Sequence, residues 1–323
     1  MALAFSRAHK SAGTHRQPLL PKIMNALSDN MRAALLMTLS MSAFTVNDAL
    51  MKAASDEVPF FQSVALRGMM ITVILIGVAF IWGNFTLRAA KRDWGLIILR
   101  TAAEAIGTIF FLTALFKMPI ANLSAILQAL PLTVTLAAAI FLREAVGWRR
   151  LVAIMIGFVG VILIVQPGTD GFSIYSVFGI AAVIAVTVRD LAARKLNVTV
   201  PSILVALAAA VGVTAVALVG GANTPWVMPS LKAVLQMAAA AGCLAAGYLA
   251  AISAMRSGDI GFVAPFRYSS LLVALFLGLV FFGEWPNALT IIGALIVVGT
   301  GLFTLYRERK RRVRTAPIGL RIR

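Results

Sequence analysis

The chain carries one cysteine in 323 residues, Cys243, and two histidines, His9 and His15, both near the N-terminus. A lone cysteine excludes a disulfide framework and a thiolate metal cluster. With both histidines in the first 15 residues, a histidine proton relay or histidine metal site within the apolar body is excluded as well. No glycine-rich phosphate loop is visible, nor a nucleophile beside a base, so an enzyme is not expected, and neither is a cofactor or a metal. Charge is scarce and one-sided: charged residues are 13% of the chain, with 29 Lys and Arg against 12 Asp and Glu.

What is abundant is apolar. Hydrophobic residues make up 60% of the chain and the mean hydropathy is +0.93, beyond what a soluble core of this size absorbs. About 20 apolar residues span the hydrocarbon of a bilayer, and ten such segments can be drawn: 32–53, 60–82, 94–115, 120–142, 148–165, 174–193, 200–220, 232–253, 262–282 and 288–305. The expected fold is an all-α integral membrane protein of ten transmembrane helices joined by short loops. The blocks Ala114 to Glu144 and Ala254 to Glu284 align without a gap and share Ala, Ile, Leu, Phe and Glu at matched positions, which reads as an internal duplication. Two five-helix halves, 32–165 and 166–306, would then run in opposite senses, as in carriers whose site lies between inverted repeats. They would be flanked by a disordered tail, 1–31, in which Met24 and Met31 offer alternative starts, and by a basic tail, 307–323.

The formal charge of +17 follows topology. Of the 29 basic residues, 23 fall in the two tails and in alternate loops, Arg189, Arg194 and Lys195 being assigned to one of these. The opposite loops hold Lys52, Lys117 and Lys232. Such a bias places both termini in the cytoplasm. The terminal run RERKRRVR then touches anionic lipid, and no nucleic-acid partner is expected.

Charged side chains inside a bilayer cost roughly 2.5–3.5 kcal/mol each and generally face a cavity or a partner. The first segment carries Asn47, Asp48 and Lys52, with Asp48 and Lys52 on one helical face. The second carries Arg67, which Asp48 could meet as an ion pair or gate. The third carries Arg100 and Glu104, again four apart; mutual neutralisation would disfavour cation/proton exchange at Glu104. In the fourth, Gln128 falls near mid-membrane and Pro131 should kink the helix; in the ninth, Pro265 opens the backbone beside Arg267 and Tyr268. Asn47, Arg100, Glu104, Gln128, Arg267 and Tyr268 are the candidate substrate-binding residues. Phe110, Phe111, Tyr248, Phe262, Phe266 and Tyr268 could offer faces to a flat ring. Glu144 and Glu284, at opposite membrane faces, are read as helix-end residues.

The pattern TALFKMPIANLSAILQALPLTVTLAAAIFLREAVGWRR, with APFRYSSLLVALFLGLVFFGEWPNALTIIGALIVVGTGL in the second half, resembles the EamA-type transporters of the drug/metabolite transporter superfamily. The resemblance implies an inner-membrane secondary carrier of small molecules with a central cavity, and leaves a homodimer open. NDALMK at 47, SVALRG at 63 and APFRYSS at 264 resemble an alphaproteobacterial branch that includes riboflavin and S-adenosylmethionine transporters. The resemblance implies a small planar polar substrate, riboflavin uptake first; an S-adenosylmethionine transporter and an exporter of amino acids are the alternatives.

Overall fold

A computed structural model describes residues 29–81, 90–144, 146–169, 172–197, 199–257 and 260–315. Most of the N-terminal tail, the Arg88 loop and the last residues of the basic tail, 316–323, lie outside the described residues.

Ten helical crossings are present among them, and no strand. They are α1 (Asp29–Ala54), α2 (Phe60–Ile81), α3 (Lys91–Leu115), the pair α4 (Ile120–Leu127) and α5 (Leu130–Phe141), α6 (Trp148–Val165), α7 (Ile174–Lys195), α8 (Ser202–Gly220), α9 (Leu231–Ser257), the composite α10 (Ile260–Val263), 3-10 turn (Ala264–Tyr268) and α11 (Ser269–Phe282), and α12 (Ala288–Thr315). Helix is the form these apolar runs must take, because lipid offers no partner to backbone polar groups. Large apolar side chains such as Val73, Phe80, Ile98, Ile140 and Ile184 face outward, as a lipid-facing exterior requires.

Two crossings are broken, and proline breaks both. Pro131 sits in the first turn of α5; lacking an N–H, it leaves the Leu127 carbonyl without its usual donor, and α4 ends there. Pro265 likewise opens the 3-10 turn that separates α10 from α11. The expected single helix over 120–142 is therefore two helices meeting at Gln128 and Ala129. At the other ends the helices outrun the sequence reading: α7 continues to Lys195, α9 to Ser257 and α12 to Thr315.

Packing follows the duplication. α1 lies along α9 as α3 lies along α7, and α2 meets α9 as α3 meets α8. α2 pairs with α8 and α6 with α12. Exchanging the first five crossings for the last five leaves this pattern unchanged, which is what two repeats of five crossings in opposite senses produce. α6 and α12 touch backbone to backbone: a Cβ on Gly160 would stand 2.8 Å from the Gly293 carbonyl, and one on Gly293 2.5 Å from that of Gly160. Small residues are what permit such an approach. The buried interior joins Met51 of α1, Leu112 and Leu115 of α3, Ile120 and Leu123 of α4, Ile154 of α6 and Met237 of α9.

Candidate substrate site

Two polar groups meet in the interior where α1, α2, α3, α7 and α9 converge. On α1 and α2, Asn47 bridges a charged pair. Its Nδ2 donates to Asp48 Oδ1 at 2.9 Å, and Arg67 Nη1 donates to its Oδ1 at 3.4 Å. Asn47 and Arg67 are buried, so the amide orders the acid and the guanidinium without direct contact between them. Lys52 does not join Asp48, although both lie on one face of α1; it pairs with Glu284 instead.

On α3 and α7 the pairing is denser. Arg189 Nη1 donates to both oxygens of Glu104, at 3.2 and 3.4 Å, while its Nε and Nη2 face Asp190 Oδ1 at 2.9 and 2.8 Å. Arg100 reaches Glu104 from one turn away, 3.5 Å from Nη2. The helices that hold these groups pack closely at Gly107 of α3, where an added Cβ would touch Ala185 of α7 at 3.4 Å. These four side chains keep between 14 and 28% of their surface accessible.

Tyr248 of α9 joins the two groups, since its phenol lies within the fields of Glu104, Arg189, Arg100 and Arg67. Its ring meets Phe44 of α1 edge to face, at 5.3 Å between centroids. Three guanidiniums (Arg67, Arg100, Arg189) thus face three carboxylates (Asp48, Glu104, Asp190), a balance of zero when all are ionised. Saturation is incomplete. Arg67 Nε and Arg100 Nη1 are buried donors without a hydrogen-bond partner, and such donors are costly unless something accepts from them. Chemically, this surface can take an acceptor such as a carboxylate or ring carbonyl at the arginines, and an amine or hydroxyl at the acids.

Of the residues expected from the sequence, Asn47, Arg100, Glu104, Asp48 and Arg67 are brought together. Gln128, Tyr268 and Arg267 are not. Gln128 is buried at the α4–α5 break and donates to Ser270 Oγ at 2.7 Å, tying the two broken crossings to each other. Tyr268 is buried against α12, its hydroxyl so close to Gly301 that a Cβ there would stand 1.7 Å away. Arg267, beside it, is exposed. Arg189 and Asp190 were missed. The sequence groups Arg189 with Arg194 and Lys195 in a basic loop, yet in the structure it lies within α7, six residues from its end, and reaches back into the bundle. The adjacent aspartate in AVTVRDLAARK was the available signal, since a topology anchor needs no carboxylate beside it. Glu284, read as a helix-end residue, instead pairs with Lys52, and Glu144 pairs with Arg194.

The chain matches the pattern of the EamA-like transporter family over residues 31–166. It is 26% identical over 274 residues to an S-adenosylmethionine uptake transporter of Rickettsia bellii, covering 84% of this chain and 92% of that one. With a riboflavin transporter of Vibrio cholerae it shares 30% identity over 237 residues, 70% of this chain and 76% of the other. With a pseudopaline exporter of Pseudomonas aeruginosa it shares 26% over 287 residues, 85% and 96% of the two chains. A solved structure with 20% identity superposes at a TM-score of 0.62 over 88% of this chain and 99% of that one, a likeness of fold.

Proposed function

The chain belongs to the EamA-like transporter family, and from that premise we propose that it carries an amphoteric metabolite, one bearing an amino-acid-like head group and a flat ring, of the kind S-adenosylmethionine represents. It is a transporter and not an enzyme, a multi-pass protein of the bacterial inner membrane that moves a small molecule. Both termini are assigned to the cytoplasm by the basic loops, so that Lys52 lies toward the outside and Arg194 toward the inside.

The observation that carries the substrate class is the charge-balanced cluster with two unpaired arginine donors. Both are guanidinium donors, and arginine suits planar oxyanions such as a carboxylate. Asp48, whose hydrogen bond comes from Asn47, is the carboxylate with the most capacity left for a cationic group. A purely cationic substrate meets three arginines and a purely anionic one three acids, so a head group carrying both charges is the type the site accepts at least cost, and the added sulfonium charge of S-adenosylmethionine falls to Asp48. The Phe44–Tyr248 pair supplies an apolar face to a ring, where aromatic contacts contribute about 0.5–1.5 kcal/mol beyond burial.

Riboflavin uptake is the second reading. It is favoured by the 30% identity to a riboflavin transporter and by the same unpaired donors, which ring carbonyls would also satisfy. Purified protein in liposomes, loaded with unlabelled compound and offered the labelled one, separates the two. Exchange of S-adenosylmethionine above the empty-liposome control, competed by free α-amino acids and not by riboflavin, is the expected result. Exchange of riboflavin with no S-adenosylmethionine exchange would overturn the first reading in favour of the second.

A further inference from the structure

Each end of the bundle carries an ion pair, and the two pairs occupy matching places in the two halves. Lys52 lies in the last turn of α1 and meets Glu284, two residues past α11; Arg194 lies in the last turn of α7 and meets Glu144, three residues past α5. Glu144 and Glu284 are the matched glutamates that close the duplicated blocks. Each pair joins one half of the chain to the other.

The pairs are far from equal. Lys52 Nζ donates to Glu284 Oε1 at 2.5 Å and to the Met118 carbonyl at 2.7 Å, and stands 5.1 Å from the centre of the Phe282 ring. Glu284 Oε2 accepts the Ile120 N–H at 2.9 Å, a donor that the start of α4 leaves free. One carboxylate thus binds the end of α1, the start of α4 and the end of α11, with the two side chains 11 and 21% accessible. Arg194 and Glu144 stand 3.5 Å apart and are 47 and 54% accessible, where water and salt screen the attraction.

Further fastenings lie at the Lys52 end. Gln62 of α2 donates to the Val227 carbonyl at 2.7 Å and accepts the Val227 N–H at 3.0 Å. Glu57 accepts from the Ser230 hydroxyl at 2.7 Å and from its backbone N–H. Together they pin the extended segment 225–230 of the second half onto the α1–α2 turn of the first. Gln166, at the end of α6, exchanges two amide hydrogen bonds with Asn287, at 2.9 and 3.3 Å.

We propose that Lys52–Glu284 is the latch that holds this end shut, that Arg194–Glu144 is its counterpart at the other end, and that their inequality sets the resting direction of access. The resting protein is closed at the Lys52 end and admits substrate from the Arg194 end; passage requires the first latch to open and the second to tighten. This rests on the carrier reading, but the test does not use substrate.

Spin labels at Lys117→Cys and Trp285→Cys, both exposed, report the latched end in a Cys243→Ala background. Labels at Arg143→Cys and Lys195→Cys report the other end. Pulsed dipolar spectroscopy on the purified protein should give one short population for the first pair. Glu284→Gln should raise the long-distance population there by roughly tenfold or more, the factor carried by loss of a hydrogen bond to a charged group, and should shorten the second distance. Glu144→Gln should leave the first distance unchanged. Lys52→Met repeats the test should Glu284→Gln fail to fold. A folded Lys52 or Glu284 variant with both distributions as in the parent overturns the latch, and does so whether or not the protein transports S-adenosylmethionine.

Discussion

Two polar regions of the interior invite comparison: the arginine and acid cluster of α1, α2, α3 and α7, and the place where the broken crossings α4–α5 and α10–α11 meet. Both have marks of a site, the first in buried charge and the second in paired prolines. They differ in what is left over. At the breaks, Gln128 is engaged by Ser270, the Ser270 hydroxyl returns to the Arg267 carbonyl at 3.1 Å, and the Tyr268 hydroxyl, an uncharged group buried without a partner, packs against Gly301 of α12. In the cluster, Arg67 Nε and Arg100 Nη1 have no partner, and accessible surface remains on Glu104, Arg189 and Asp190. A broken helix can be a structural joint; opposed charges that keep accessible surface are the better mark of a binding surface.

The largest effect that would sharpen this contrast is expected at Glu104. Glu104→Leu leaves Arg100 without its carboxylate and Arg189 with Asp190 alone, which should cost about 3–5 kcal/mol of stability and abolish transport. Thermal unfolding checks the first and flux into liposomes the second, and Glu104→Leu with Arg100→Leu, which keeps the Arg189–Asp190 pair, should recover part of the stability and none of the flux. Arg100→Lys comes next: it keeps the charge near Glu104 but loses the fork that offers Nη1 to a ligand. Expected is a rise in KM of roughly tenfold, about 1.4 kcal/mol, with little change in melting temperature.

Tyr268→Phe should be nearly silent in transport, although the sequence places Tyr268 in the site. Removing a buried hydroxyl that has no partner should leave stability unchanged or raise it by about 1 kcal/mol, as measured by the melting midpoint. The smallest effect is expected outside the membrane at Glu57. The Ser230 backbone and hydroxyl donors hold its carboxyl below the usual carboxylate range. Its contribution is therefore present above the ordinary carboxylate value and lost as pH falls through the lowered one. Glu57→Gln should reduce the drop in melting temperature between pH 7 and strongly acidic buffer and change little at pH 7.

The ten crossings were legible because hydrophobic length and base placement vary along the chain on the scale of a bilayer. That Asn47, Arg100 and Glu104 take polar partners was legible for a related reason: each lies in a largely apolar segment, so its cost demanded a partner. Arg189 was not, because a long side chain near a helix end can snorkel outward or reach inward, and spacing along one helix does not say which. The inward turn is decided by Glu104 on another helix. Tyr268 stands apart from the cluster through the 3-10 turn that Pro265 opens: the tighter winding changes which way residues 264–268 face. The pairings of Lys52 with Glu284 and Arg194 with Glu144 required the three-dimensional packing, though the matched glutamates were visible as a repeat.

Equilibrium binding of labelled S-adenosylmethionine to purified protein, compared among the parent, Arg189→Gln and Gln128→Ala, bears most directly on where the site lies. Arg189→Gln removes the charge shared by Glu104 and Asp190 and should weaken binding by at least about tenfold, the effect of losing one charge-assisted hydrogen bond; Gln128→Ala should bind as the parent does. Parent-like binding by Arg189→Gln together with loss of binding by Gln128→Ala would contradict the cluster as the site and move it to the broken helices.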